Sequence, residues 1–207
     1  SGKDWDLHTR NNGLFILPPF LTRENGGEYS GVLEALRANF DYLRRSRQEY
    51  VILTDSDYVM NTTFEPMIKQ HIRSGADITM MYKKVTPEIS EFSSSSKNNH
   101  CYVNIDEDNV ITDMEVNPNA ASYDNLYLNV LLIKRTMLIY IVDQVISHGA
   151  RDMVTDVLRA FIKSGALKIM AYEEKGYYRR IETIKGYFNF NMDLLNYNVR
   201  KELFGNN

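Results

Sequence analysis

EYVILTDSDYVMNTTFEPMIKQHIRSGA, residues 49–76, is the stretch from which the fold is read. Residues 50–53 are apolar, two of them β-branched, and run straight into Thr54-Asp55-Ser56-Asp57, so a buried strand ends in a pair of carboxylates. Residues 64–73 read as a helix, closed by Gly75. Residues 78–82 (ITMMY) then read as a second buried strand. Strand, helix, strand in this order predicts parallel strands with helices on their faces.

Upstream, Val32, Leu33, Leu36, Phe40 and Leu43 recur at helical spacing, with Ser30 as the expected N-cap and Arg44, Arg45 and Arg47 at the C-terminal end, where cations suit the dipole. Before that helix, residues 23–27 form a polar, glycine-rich loop, and residues 14–17 form a short apolar strand stopped by Pro18-Pro19. Downstream, residues 93–99 are a serine-rich loop. Residues 101–105 and 110–115 read as an antiparallel pair joined by a turn at 106–109, and residues 126–133 as a further strand. Helices are expected over 135–147 and 152–163, separated by Gly149, then a strand over 167–172. A last helix begins at Thr183, with Tyr187, Phe188 and Phe190 expected in the core, the alternative being an interface used in subunit assembly. The expectation is one mixed α/β domain over 1–207, its mainly parallel sheet flanked by helices.

Composition narrows the function. The 207-residue chain is 43% hydrophobic and 25% charged with net charge -3, a balance that suits one globular domain. No basic stripe or tail is present, so nucleic acid is not an expected partner. No apolar run approaches the roughly 18–20 residues that span a bilayer, so neither is a membrane. Residues 1–12 are polar and carry no signal peptide, and the single cysteine, Cys101, has no internal disulfide partner; a cytoplasmic protein is expected.

Chemistry concentrates after the strand at 50–53. Ligands of open α/β sheets bind beyond strand carboxyl ends, and Asp55 and Asp57 sit at such an end. Two carboxylates there can hold Mg²⁺ or Mn²⁺ against a nucleotide diphosphate, since hard cations prefer carboxylate oxygen. They can equally serve as turn and capping residues. The D-x-D spelling is also that of nucleotide-sugar glycosyltransferases, though the motif is short. His71 reads as structural, and His8, His100 and His148 have no partner at zinc-ligand spacing. Cys101 opens a strand and reads as inert.

Residues 49–76 resemble, without a gap, the segment around the "G-D-H" motif of bacterial glucose-1-phosphate adenylyltransferases, with Glu49, Tyr50, Val51, Met67, His71, Gly75 and Ala76 matching. In that register Asp57 falls on the metal-binding aspartate, Ser56 on the glycine and Tyr58 on the histidine. Other patterns follow in family order. Leu17-Pro18-Pro19 resembles "L-P-P". Residues 31–39 resemble "G-T-A-D-A-x-x-Q-N", with Gly31, Ala35 and Asn39 kept and Glu34 at the aspartate. Val116-Asn117-Pro118 resembles "E-K-P". Asp152 and Asp156 match "H-D-F-G-x-D", and residues 177–183 resemble "Y-W-R-D-V-G-T", with Tyr177, Arg179 and Thr183 kept. The resemblance implies a nucleotide-diphospho-sugar transferase-like fold and a substrate pocket drawn from Gly31, Glu34, Asn117, Asn129, Tyr178, Arg179 and Thr183.

The departures carry their own expectation. The resemblance implies a catalytic Mg²⁺ shared by Asp57 and a second aspartate, and that second position is Arg180, whose fixed cation repels a metal. The phosphate-gripping lysine of "E-K-P" is the neutral Asn117. Asp55 is the one remaining candidate for a second metal ligand. Neither the family's N-terminal glycine-rich loop nor its C-terminal β-helix is found, so a partial nucleotidyltransferase-like domain is expected. This pattern of losses resembles the non-catalytic "D-type" subunit of some Gram-positive bacteria. It implies no competent catalytic residue, no cofactor, and a catalytic glucose-1-phosphate adenylyltransferase subunit as partner, with ATP or a sugar phosphate as ligand. The alternatives are an active enzyme making ADP-glucose from ATP and glucose 1-phosphate with Mg²⁺, and a D-x-D glycosyltransferase.

Overall fold

The computed structural model describes residues 15–18, 29, 31–85 and 100–205. The Ser30 cap, the loops at 23–27 and 93–99, and His8 lie outside these residues. The helix expected from Val32 onward is two helices, α1 (Val32–Ala38) and α2 (Phe40–Arg45), broken at Asn39. Next come β1 (Tyr50–Thr54), β2 (Tyr58–Met60), α3 (Glu65–Ser74) and β3 (Ile78–Lys84). The strands β4 (Cys101–Ile105) and β5 (Ile111–Val116) form the expected hairpin, its turn closed by Asn109 at φ 61°. Then follow β6 (Asn125–Lys134), α4 (Arg135–Ser147), a π-helical turn (Met153–Leu158) and α5 (Arg159–Ser164). The chain ends with β7 (Ile169–Glu173), β8 (Tyr178–Arg180), α6 (Ile184–Asp193) and α7 (Tyr197–Phe204).

The sheet is mixed and flanked by helices, but it is not mainly parallel. Its order is β5-β4-β6-β3-β7, with β1 also on β6, and among the described residues only the β3–β7 pairing is parallel. The strand–helix–strand reading did fix direction: β1 and β3 both run antiparallel to β6 and therefore point the same way. What it missed is that β6, a strand from much later in the chain, inserts between them. Sequence periodicity fixes a strand's faces and says nothing of its neighbours.

Strand β6 organises the core because both its faces are buried. Leu126, Leu128, Val130 and Leu132 point into one hydrophobic cluster, with Met67 of α3 and Tyr178 of β8. Tyr127, Leu131 and Ile133 point into the other, with Leu33, Phe40, Leu138, Ile141 and Val142 from the helices on that side. Burying each such aliphatic side chain contributes about 1.5–3 kcal/mol. Asn129, on the second face, interrupts the strand at φ 54°, a left-handed conformation that asparagine tolerates better than β-branched residues do. The β3–β6 register shifts there, between Met80 and Tyr82.

Helix α3 ends as expected: Gly75 adopts φ 62°, and the Ala76 amide donates back to the His71 carbonyl at 3.2 Å. His71 is structural. Its Nδ1 lies 2.8 Å from Thr79 Oγ1, and Tyr50 meets its ring edge-on at 5.3 Å.

Two expectations are corrected. Residues 15–18 are not a strand: Phe15, Ile16 and Leu17 are exposed, and Phe15 lies against Tyr42. The aromatic stripe of α6 is not core: Tyr187 and Phe188 are more than half exposed, beside exposed Ile184, Leu195 and Tyr197. Among the described residues no helix is long and apolar enough to cross a membrane.

Candidate functional site

Two short strands assemble the site. The β2–β8 ribbon pairs Tyr58 with Arg180 and Met60 with Tyr178, which holds Arg180 beside the loop that leaves β1. The Ile181 amide donates to the Asp57 carbonyl at 2.6 Å and locks the ribbon's end. The Arg180 guanidinium then spans both expected carboxylates. Its Nε donates to Asp57 Oδ2 at 2.9 Å and its Nη2 to Asp55 Oδ2 at 3.1 Å. A third carboxylate, Glu182, places Oε1 3.0 Å from the same Nε, with its side chain only 7% exposed. Burial pulls the Arg180 guanidinium's pKa down, but the hydrogen bond to Asp57 and the charges of Glu182 and Asp57 outweigh it and raise the pKa above its usual value. Asn129 closes the group, its Nδ2 donating to Asp55 Oδ2 at 2.7 Å. The left-handed kink of β6 serves to aim this side chain.

The sequence reading missed Glu182 and His100. Glu182 stands at the glycine of the "Y-W-R-D-V-G-T" pattern, and His100 follows the serine-rich loop. They are 82 positions apart by number, yet His100 Nε2 lies 3.8 Å from Glu182 Oε2. His100 thus has an acidic neighbour in space, although none stands at zinc-ligand spacing in the sequence. Burial lowers the His100 pKa, with the Arg180 charge helping and the Glu182 charge opposing, so the imidazole is neutral at pH 7 and the contact is polar rather than ionic.

A cavity of about 670 Å³ opens over this cluster, beyond the end of β1. Its walls are apolar, from Leu36, Leu53, Tyr127, Leu131 and Met153, and its polar groups include Asp55, Asn129, Asp152 and Arg180. Both the size and the lining are those of a small-molecule site. A larger, more polar groove of about 780 Å³ lies between residues 61–63, α3 and the end of β7, but none of the expected site residues lines it.

The structure brings Asp55, Asp57, Asn129 and Arg180 together and puts the other expected residues elsewhere. Gly31 packs the start of α1 onto the loop between α4 and the π-helical turn so closely that a Cβ would stand 2.7 Å from the Arg151 carbonyl oxygen. Glu34 lines a separate hollow with Arg37 and Gly149. Asn117, at φ 48°, fastens the end of the β4–β5 hairpin: its amide donates to the His100 carbonyl and its Oδ1 accepts the His100 amide, both at 2.8 Å. Tyr178 is buried against Tyr58, and burial drives its phenol's pKa well up. Arg179 points away from Arg180 and meets Asp193 at 2.5 Å and the Tyr177 hydroxyl at 3.1 Å. Thr183 caps α6, its hydroxyl accepting the Gly186 amide at 2.9 Å. Asp152 caps the π-helical turn through the Val154 and Thr155 amides, and Asp156 accepts the amides of Arg151 and Asp152.

Cys101 takes no part in this site. It is fully buried, and burial pushes its thiol up to about 12, so the thiolate is negligible at neutral pH. Native protein at pH 8 is expected to leave Ellman's reagent uncoloured, and one thiol per chain should react once urea unfolds it. Rapid reaction of the folded protein would contradict the burial.

No protein-family model matches the chain. Among curated proteins, the glucose-1-phosphate adenylyltransferase of Halalkalibacterium halodurans is 30% identical over 200 residues, covering 94% of this chain and 49% of that protein. The enzyme of the same name from Clostridium perfringens is 27% identical over 206 residues, 98% of this chain and 50% of that protein. That of Geobacillus stearothermophilus is 28% identical over 209 residues, 98% of this chain and 51% of that protein. The chain spans about half the length of the curated relatives it matches. Over most of its own length, then, this chain is homologous to glucose-1-phosphate adenylyltransferases, a nucleotidyltransferase family.

Proposed function

We propose that the chain belongs to a non-catalytic, regulatory subunit of glucose-1-phosphate adenylyltransferase, which acts in glycogen biosynthesis beside a catalytic subunit in the cytoplasm. The observation that carries this reading is the Arg180 guanidinium, hydrogen-bonded to Asp57 at 2.9 Å and to Asp55 at 3.1 Å. Transfer of a nucleotidyl group depends on positioning and on neutralising phosphate charge, usually through Mg²⁺. Here a fixed cation stands where the resemblance puts a second metal-binding aspartate. Asn117, at the position of the phosphate-gripping lysine, is neutral, and its side chain fastens a hairpin. The residues present do not fit a catalytic Mg²⁺. The cavity beside them has the size of a small-molecule site, and a nucleotide or sugar phosphate is proposed as its ligand from the resemblance alone, because the carboxylates around Arg180 leave no excess positive charge to attract a phosphate.

The test is pyrophosphate release by the full-length protein, given ATP, glucose 1-phosphate and Mg²⁺, with and without the catalytic subunit of the same organism. The expected result is no turnover alone and a several-fold rise in the partner's rate. Turnover alone, lost on Asp57→Asn, would instead make the protein an enzyme with Asp55 and Asp57 as metal ligands. Silence in both assays would remove the regulatory reading.

A further inference from the structure

The three carboxylates around Arg180 form one electrostatic unit. Asp57 takes the Nε proton and Asp55 takes an Nη2 proton. Glu182 Oε1 is ion-paired at 3.0 Å yet has no hydrogen bond, because the proton it faces goes to Asp57. Asp57 Oδ1 and Asn129 Oδ1 are also buried and unpartnered. A buried, nearly inaccessible Glu182, whose residue position falls in a glycine slot of the "Y-W-R-D-V-G-T" pattern, has no role in holding Mg²⁺ between two aspartates. It has an evident role in holding a guanidinium. Three acceptors around one cation, with oxygen lone pairs to spare, describe a site built for more positive charge than a single hydrogen-bonded arginine delivers.

We infer that Arg180 is the resident cation of this site: it replaces a divalent metal, Glu182 anchors it there, and its removal uncovers a latent divalent-cation site made of Asp55, Asp57 and Glu182. The inference rests on the reading of the chain as a non-catalytic homologue and extends it to how the metal is excluded. With Arg180 present the carboxylates are spread along the guanidinium edge and do not converge on a point. Among the described residues no group of three or more His, Cys, Asp or Glu side chains is placed to hold a metal ion. Hard cations need several oxygens converging at about 2.0–2.6 Å, and the guanidinium keeps these oxygens apart. Without it, mutual repulsion of the carboxylates favours any divalent cation that draws them together.

The experiment is Mn²⁺ binding to the full-length protein, followed by electron paramagnetic resonance and by Tm with and without Mn²⁺. Wild type is expected to leave the free Mn²⁺ signal undiminished and its Tm unmoved. Arg180→Ala is expected to bind Mn²⁺ and to gain roughly 5–10 °C in Tm at a hundredfold excess over Kd. Asp57→Asn in that background should abolish both effects. Mn²⁺ bound by wild type and lost on Asp57→Asn would overturn the inference, and so would an Arg180→Ala protein that gains no affinity. If Arg180→Ala does not fold, the longer Arg180→Gln supplies the test: with all three carboxylates kept and the fixed charge gone it should show measurable Mn²⁺ affinity, and none would count against the inference. Metal binding and stimulation of a partner are separate readouts. A metal-blind wild type that fails to stimulate its partner would sink the proposed function and leave this inference standing.

Discussion

Replacing Arg180 with methionine is expected to cost about 3 kcal/mol of stability, toward the lower end of what removing one partner of a buried ion pair costs. The reason is the charge left behind. Glu182 is 7% exposed, Asp57 33% and Asp55 42%. Water can recover part of the loss at the two aspartates and almost none at Glu182. For a chain of this length the change corresponds to a fall in Tm of roughly 6–12 °C, measurable by circular dichroism. Arg180→Lys keeps the charge but not the fork that serves Asp57 and Asp55 together, so it should lose less, about 1–2 kcal/mol. Pairing Arg180→Met with Glu182→Gln should recover part of the loss, and a double-mutant cycle isolates that coupling. Independent, additive effects would mean that the three carboxylates and the guanidinium do not act as one unit.

Arg179→Met is the second large effect, and it acts on the other side of the same strand. Successive residues of a strand point to opposite faces, so Arg179 leaves the metal-like cluster to Arg180 and turns toward α6. It is 8% exposed, meets Asp193 near the end of that helix at 2.5 Å, and shares the Tyr177 hydroxyl, which donates to the same carboxylate at 2.7 Å. Its loss should cost about 2–4 kcal/mol, because Asp193 is partly exposed and regains some solvent. The amides of α6 and α7 should exchange hydrogen faster, while those of β6 keep their protection. The resemblance implies Arg179 in a substrate pocket, and the two roles separate cleanly. A variant that folds with unchanged Tm but loses nucleotide or sugar-phosphate affinity would favour the pocket over the anchor.

The sequence by itself determined the local elements and the chemistry of their ends. Helix α4 spans the residues its apolar spacing predicts, α3 stops at the glycine that alone takes its left-handed cap at no cost, and β6 is buried on both faces as its apolar run, interrupted at Asn129, implies. The acidic pair after β1 was legible because an apolar strand, half-buried here rather than buried as expected, runs into D-x-D and leaves those carboxylates at a strand end. These are properties of residues a few positions apart, set by backbone geometry and side-chain periodicity. The tertiary structure decided what no local pattern encodes. It inserted β6 between β1 and β3, paired the three-residue strands β2 and β8, too short for any period to show, and left the aromatic stripe of α6 at the surface. It also brought Glu182 and His100 to the site and split Arg179 from Arg180. Partners more than 70 positions apart meet there through strand register, and a charge shows whether it binds a metal or replaces one only once its neighbours in space are known.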